Sequence, residues 1–229
     1  MKSLVFDTSS IISLSLNNLL WTLKSLKKNF KGEFYIPDAV KRELIDVPIQ
    51  GKKYKLEAMQ VSRDILDGVL KIGEKIEINK FLELVNSIYT SKKKTEAKNP
   101  GGKIQILQKG EVEALLLAVK LKADVLVVDE RTTRLLLENP EKLRELLEKK
   151  LHTSVEINYN SLNKFNVQIG IINVIRSSEL MMIAFEKGIL ENYLVDGKKE
   201  LIDAILWGLR LRGCSISNEE IDELIKIEG

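Results

Sequence analysis

Sulfur and imidazole are almost missing from this chain, whose 229 residues contain one cysteine, Cys214, and one histidine, His152. A disulfide framework is therefore impossible, and a Cys/His zinc centre, a Cys–His nucleophile pair and a haem attachment box are nearly excluded with it. A metal ion would have to sit on oxygen ligands. Long apolar runs are missing as well, the longest falling far short of the roughly 20 residues a membrane span needs. Met1-Lys2 leads into Leu4-Val5-Phe6 and then Asp7, with no signal-peptide stretch. A cytoplasmic protein with no membrane partner is expected.

What is present suits one sizeable core, or a domain with an appendage: 44% of a 26.0 kDa chain is apolar. The net charge of +3 hides an asymmetry, since residues 1–139 hold 24 basic against 18 acidic side chains and residues 140–229 hold 12 against 15. Lys92, Lys93, Lys94, Lys98, Lys103 and Lys109 face only Glu96. Such a stretch is either a solvated loop or an arm that meets phosphates.

The order of elements reads as alternating strands and helices. Leu4–Phe6 is a strand, Asp7-Thr8-Ser9-Ser10 a turn, and the apolar residues from Ile11 to Leu23 recur at helical spacing. Phe34–Ile36 is a second strand, followed by a helix that Pro37 and Asp38 open and that reaches Leu44. Helices are expected over Tyr54–Leu70 and Asn79–Tyr89, with extended chain near Ile72–Ile78 between them. Asn99-Pro100-Gly101-Gly102 marks a loop. A mostly apolar helix spans Gly110–Leu121, then Val125–Val128 forms a strand of the kind covered on both faces. Helices follow over Arg131–Glu138 and Pro140–Leu151. Val155, Ile157 and Tyr159, then Phe165, Val167 and Ile169, alternate with polar residues and predict a hairpin or two strands. The end is helical: Ser178–Lys187, Lys198–Arg212 and Ser217–Ile227, the last opened by a Ser217/Glu220 capping box.

Strand–helix alternation with short connections predicts an open parallel sheet between helices, with ligands at the carboxyl ends of the strands. Asp7 and Asp129 each follow an apolar strand and should emerge on that edge although 122 positions separate them. Glu43 lies at i+3 from Val40, on a face with Leu44, so its carboxylate needs either a cation or a salt bridge. Glu111 and Glu113 are two apart, about 200° around a helix axis, and cannot both face one small site. A first-turn acid complementing the helix dipole describes Glu111 well. It describes Glu113 less well, because apolar residues surround it. Asp38 is read as a helix cap and Asp124 as a turn residue.

Asp7-Thr8-Ser9, the helical Glu43 after Tyr35-Ile36-Pro37, Gly110-Glu111-Val112-Glu113-Ala114 and Val127-Val128-Asp129-Glu130-Arg131 together resemble the PIN-domain nucleases. The resemblance is to the VapC-like toxin branch, and it resumes at Ala184–Leu190 and in the terminal helix pair. It implies a three-layer α/β/α fold with a central parallel sheet, a helical insertion and a C-terminal helical extension. The implied division is a nuclease core over 1–140, with an insertion at about 50–108, and an extension over 141–229 that carries the last strand or strands and a helical hairpin. It further implies Mg²⁺ or Mn²⁺ held by Asp7, Glu43, Glu113 and Asp129, with RNA as substrate and hydrolysis of its phosphodiester bonds as the reaction. Glu113 is preferred because it stands 16 residues before Asp129, the family's offset, and Glu111 becomes an outer ligand. Ser9 takes the family's small hydroxyl position, while Thr8, Thr132 and Thr133 would hold waters. The lysines from Lys92 to Lys109 would meet the RNA backbone.

The branch also implies an antitoxin partner and a homodimer. The apolar face of the terminal helices, with Leu201, Ile202, Ile205, Leu206 and Leu209, would supply an interface unless it packs on the protein's own core. Trp21 and Trp207 are read as core or interface. The chain departs from the pattern in its long 50–108 segment, in added residues over 140–170, and in Arg176-Ser177-Ser178-Glu179 where a glycine-rich turn is usual. Two rivals stand beside this reading. A haloacid-dehalogenase-like phosphatase would need a second Asp where Ser9 stands, and a non-catalytic RNA-binding or assembly module would use the same fold without chemistry.

Overall fold

A computed structural model describes residues 2–91 and 102–228, without the side chain of Glu228. Lys92, Lys93, Lys94 and Lys98 lie outside the described residues. The chain runs β1 (Ser3–Phe6), α1 (Thr8–Leu16), α2 (Thr22–Phe30), β2 (Glu33–Ile36), α3 (Asp38–Lys41), α4 (Lys55–Leu66), β3 (Leu70–Ile72), α5 (Asn79–Asn86) and β4 (Tyr89–Ser91). It continues with α6 (Lys109–Leu121), β5 (Val125–Val127), α7 (Arg131–Glu138), α8 (Pro140–Leu151), β6 (Val155–Ile157) and α9 (Tyr159–Ile169). β7 (Val174–Ile175), α10 (Ser177–Glu186), α11 (Lys198–Leu211) and α12 (Asn218–Glu228) complete it.

Five strands form one sheet in the order β3-β2-β1-β5-β7, and every pairing in it is parallel. β1 is its centre, with Val5 opposite Tyr35 on one side and Leu126 on the other. Side chains alternate between two apolar layers, as the period of two along a strand requires. Leu4, Phe6 and Val127 join a layer with α1, α2, α10, α11 and α12, whereas Val5, Leu126 and Val128 join one with α5, α6, α7, α8 and α9. The fold is thus the three-layer α/β/α arrangement. β3 lies within the segment read as an insertion and β7 within the extension, so both segments complete the same sheet. The apolar run of β5 needs both layers, because each of its faces is covered.

The structure corrects several expectations drawn from periodicity. The helical run from Ile11 to Leu23 is two helices, broken where Asn18 adopts a left-handed conformation at φ 55°. α11 crosses close to that break, and a Cβ added at Gly208 would lie 2.7 Å from Asn17 Oδ1. Residues 165–169 are not a strand. Asn158 Oδ1 accepts from Ser161 N and opens α9, whose Leu162, Phe165 and Ile169 are buried at helical spacing while Val167 is 84% exposed. Val155–Ile157 is a strand, but it pairs antiparallel with β4 in a separate two-stranded sheet. The apolar face of α11 is spent internally: Leu201, Ile202, Leu206 and Leu209 are buried, and Ile205, Trp207 and Trp21 pack against the same core. It is therefore not a free interface.

Arg176, standing where a glycine turn is expected, is a buried cation that ties the C-terminal helices to the sheet. Its guanidinium donates to Glu179 and, at 3.0 Å, to both oxygens of Glu220, and also to Ser215 O at 3.1 Å. Burial pushes Glu220 up, but the Arg176 hydrogen bonds, the Ser217 N–H and the Arg176 charge bring it down to about 2. Ser217 and Glu220 also form the expected capping box. Because both acids keep some contact with water, an Arg176→Met variant should lose about 2 kcal/mol of stability rather than the full cost of an uncompensated buried charge. Urea unfolding measures this, and an Arg176→Met/Glu220→Gln double variant should recover part of the loss.

Candidate active site at the carboxyl edge of the sheet

Asp7 ends β1 and caps α1, the helix that leaves the same edge. Its Oδ2 accepts from Ser9 N at 3.2 Å and Ser9 Oγ at 2.8 Å, while its backbone N–H is held by Val127 O at 3.0 Å. Ser9 Oγ in turn accepts from Asp129 N at 3.1 Å, which fastens the ends of β1 and β5 to each other. Asp7 is 2% exposed, and its Oδ1 is buried with no hydrogen-bond partner among the described residues. Burial lifts its carboxyl to about 6 against the pull of the Ser9 hydroxyl and nearby N–H groups, with the charge of Glu43 adding to the rise.

Glu43 is exposed, not on a buried face, and has no ion pair among the described residues. After α3 the chain widens into one π-helical turn, Arg42–Asp46. The wider turn breaks the angular count from Val40 that assumed 3.6 residues per turn. Glu43 is held from the opposite side by Thr8 Oγ1, which donates to Oε2 at 2.6 Å. It lies against the first turn of α6 because residue 110 is glycine, where an added Cβ would stand 3.1 Å from both carboxylate oxygens.

On α6 the two glutamates exchange their expected places. Glu113 is 3% exposed, and its Oε2 accepts from Ala39 N at 2.9 Å. It caps α3 from outside, where Pro37 offers no side-chain acceptor. Glu111 lines the cleft instead. Its Oε2 accepts from Gln108 N at 2.6 Å in a capping box, and its Oε1 accepts from Thr133 Oγ1 at 2.7 Å. Burial, then the charges of Asp7 and Glu130, lift Glu111 to about 7 against those two hydrogen bonds.

A similar exchange occurs after β5. Asp129 is fully buried and points to α10, taking Ser177 N on Oδ1 and Ser177 Oγ on Oδ2, both at 2.7 Å. Glu130 is the exposed cleft acid, next to Thr132 Oγ1 at 3.2 Å. Glu130 was missed from sequence, although the signal was available. Val127 faces the layer containing α10 and Val128 the other, so alternation carries Asp129 toward α10.

The result is an open cleft of about 480 Å³ whose acids are Asp7, Glu43, Glu111 and Glu130. Each accepts from one neighbouring hydroxyl, those of Ser9, Thr8, Thr133 and Thr132 in that order, so these groups orient carboxylates. Gln105, Ile106 and Gln108 form one wall, with exposed Lys103 and Lys109 flanking it in sequence, and Leu147 and Lys150 of α8 border the cleft. Among the described residues, no three His, Cys, Asp or Glu side chains converge closely enough to hold a metal ion. The donor set nevertheless fits a hard divalent cation: all ligand atoms are oxygen, one buried carboxylate oxygen has no partner, and two acids sit above their ordinary range.

A family model described as a PIN domain matches residues 3–144. The chain belongs to the PIN-domain family. PIN domains are typically nucleases, hydrolases that generally use divalent metal ions, and the acidic cleft of this PIN domain is built of groups suited to that chemistry. No curated protein and no solved structure matches the chain. Among the described residues, no helix is long and apolar enough to cross a membrane.

Because Asp7 and Glu111 are raised in the folded state, their contribution to stability is complete below about pH 4. It is lost as pH climbs through about 6 and 7. Without divalent ions, Tm should fall over that interval, and the fall should be smaller for Asp7→Asn. Thermal melts of both proteins across the range read the difference.

Proposed function

We propose that this PIN domain is an endoribonuclease that requires Mg²⁺ or Mn²⁺ and hydrolyses phosphodiester bonds of RNA. The observation that carries the reading is the unpartnered, buried Oδ1 of Asp7 at the head of a line of mutually repelling acids. Asp7, Glu43, Glu111 and Glu130 would hold the cation. When bound, such an ion polarises a phosphodiester and lowers the pKa of a coordinated water. The protein's own part is positional. Ser9, Thr8, Thr133 and Thr132 fix the carboxylates, and the widened turn with Gly110 brings Glu43 to the cleft. Lys150 Nζ, which has no ion-pair partner among the described residues, would meet a phosphate, as would Lys103 and Lys109 beside the wall.

The same reading extends to a toxin restrained by an antitoxin and acting as a homodimer, supported by the resemblance of its motifs to the VapC-like branch. A dimer would have to use a surface other than the buried face of α11.

A second reading, a non-catalytic RNA-binding module, rests on Glu113 and Asp129 serving as helix caps and on the lack of three converging acids. Cleavage of labelled RNA in Mn²⁺ separates the two. Asp7→Asn and Glu111→Gln should each cut at least about 100-fold more slowly while remaining folded. Asp129→Asn and Glu113→Gln should first lower Tm. Undiminished cleavage by Asp7→Asn would defeat the nuclease reading, and RNA binding with neither cleavage nor Mn²⁺ uptake would establish the second.

A further inference from the structure

The acidic cleft continues into a narrow apolar groove. Ile12 and Glu43 line both, and beyond them Leu16, Leu44, Pro48, Val61, Tyr54 and the acidic Glu57 wall a space of only about 40 Å³. Tyr54 stands at the start of α4 with a left-handed backbone, φ 62°, a conformation unusual for an aromatic residue and one that holds the ring at the groove's rim. It is 41% exposed. The Lys53 ammonium lies 4.6 Å from its ring centroid, and no second aromatic ring contacts it among the described residues. Lys52, Lys53 and Lys55 are exposed around it, and none has an ion-pair partner among the described residues.

An exposed aromatic face flanked in sequence by three exposed lysines, at the rim of a groove that opens into an acid-lined cleft, suits a nucleotide chemically. An unpaired base stacks on an aromatic ring, and flanking phosphates are met by lysines. We propose that the exposed face of Tyr54, at the rim of this groove, stacks an unpaired base of the RNA strand whose phosphate lies in the acidic cleft, with Lys52, Lys53 and Lys55 meeting the phosphates beside that base. This rests on the nuclease reading for its substrate, and it makes the substrate single-stranded. Bases inside a duplex are stacked on each other and cannot stack on Tyr54. The groove and the cleft meet at Ile12 and Glu43, so the base is close in the strand to the cleaved bond.

The test uses the full chain in an Asp7→Asn background and a short fluorescent oligoribonucleotide, with affinity read by anisotropy. Tyr54→Ala and Tyr54→Leu should each bind the single strand about tenfold more weakly, the scale of one lost base–aromatic stack, while Tyr54→Phe stays within about twofold. The same RNA as a duplex should be insensitive to all three. Tyr54 is exposed, so the variants should fold, and circular dichroism checks that they do. Single-strand binding within about twofold for Tyr54→Ala and Tyr54→Leu overturns the proposal, as does an equal loss for duplex and single strand. Cleavage by the unsubstituted chain is read separately. Tyr54-dependent binding without any cutting removes the nuclease reading and keeps the groove, whereas cutting with Tyr54-insensitive binding does the reverse.

Discussion

Helices that start at the carboxyl edge of a parallel sheet present unpaired N–H groups there, and those groups must find acceptors. In this protein carboxylates supply them. Asp7 caps α1, Glu113 reaches across to α3, Glu111 closes the capping box of α6, and Asp129 holds the first residue of α10 with both of its oxygens. The acid-rich edge is thus demanded by the fold before any chemistry is considered. The proposed metal-assisted chemistry would use those carboxylate oxygens that capping leaves free.

That constraint divides the acids into two groups by what surrounds them. Asp129 and Glu113 are buried and spent on helix starts. Asp7 and Glu111 sit at the boundary, each with one oxygen committed to a helix start and the rest of the group turned toward the cleft. Burial and mutual charge raise both of them. Helix N-termini favour negative charge, yet here desolvation and repulsion outweigh that help. An edge so charged is under tension that a bound cation would relieve. Farther along the same edge, Arg176 shows the opposite solution: a buried cation paired with two glutamates and therefore electrically settled.

Much of the architecture was legible because strong local signals agreed. The apolar run of β5, the turn after Phe6 and the apolar length of α6 each fit a single place in a parallel α/β sheet. Errors arose where tertiary contact overrode periodicity. Nothing within residues 11–23 announces that α11 passes close beside Asn17 at Gly208, and the alternating apolar residues of 165–169 suit a strand as well as a helix until Asn158 is seen to cap one. The acids were harder still. The offset along the chain points to Glu113, whereas in the structure Pro37 leaves α3 without a side-chain cap, Glu113 supplies it and Glu111 lines the cleft. Glu43 was placed on the cleft for a mistaken reason, since a widened turn and not an apolar face directs it there.

The bond between Asp129 and Ser177 joins residues 48 apart in sequence, and β7 covers β5 from the same late segment. A growing chain released only as far as residue 144 would expose the flank of β5 as a bare, apolar sheet edge and would leave a buried carboxylate waiting for its donor. Such an edge invites pairing with other chains. The matched region of the family therefore leaves β5 without one neighbour and Asp129 without its Ser177 donors in this protein. The carboxyl edge is complete only with the terminal segment in place.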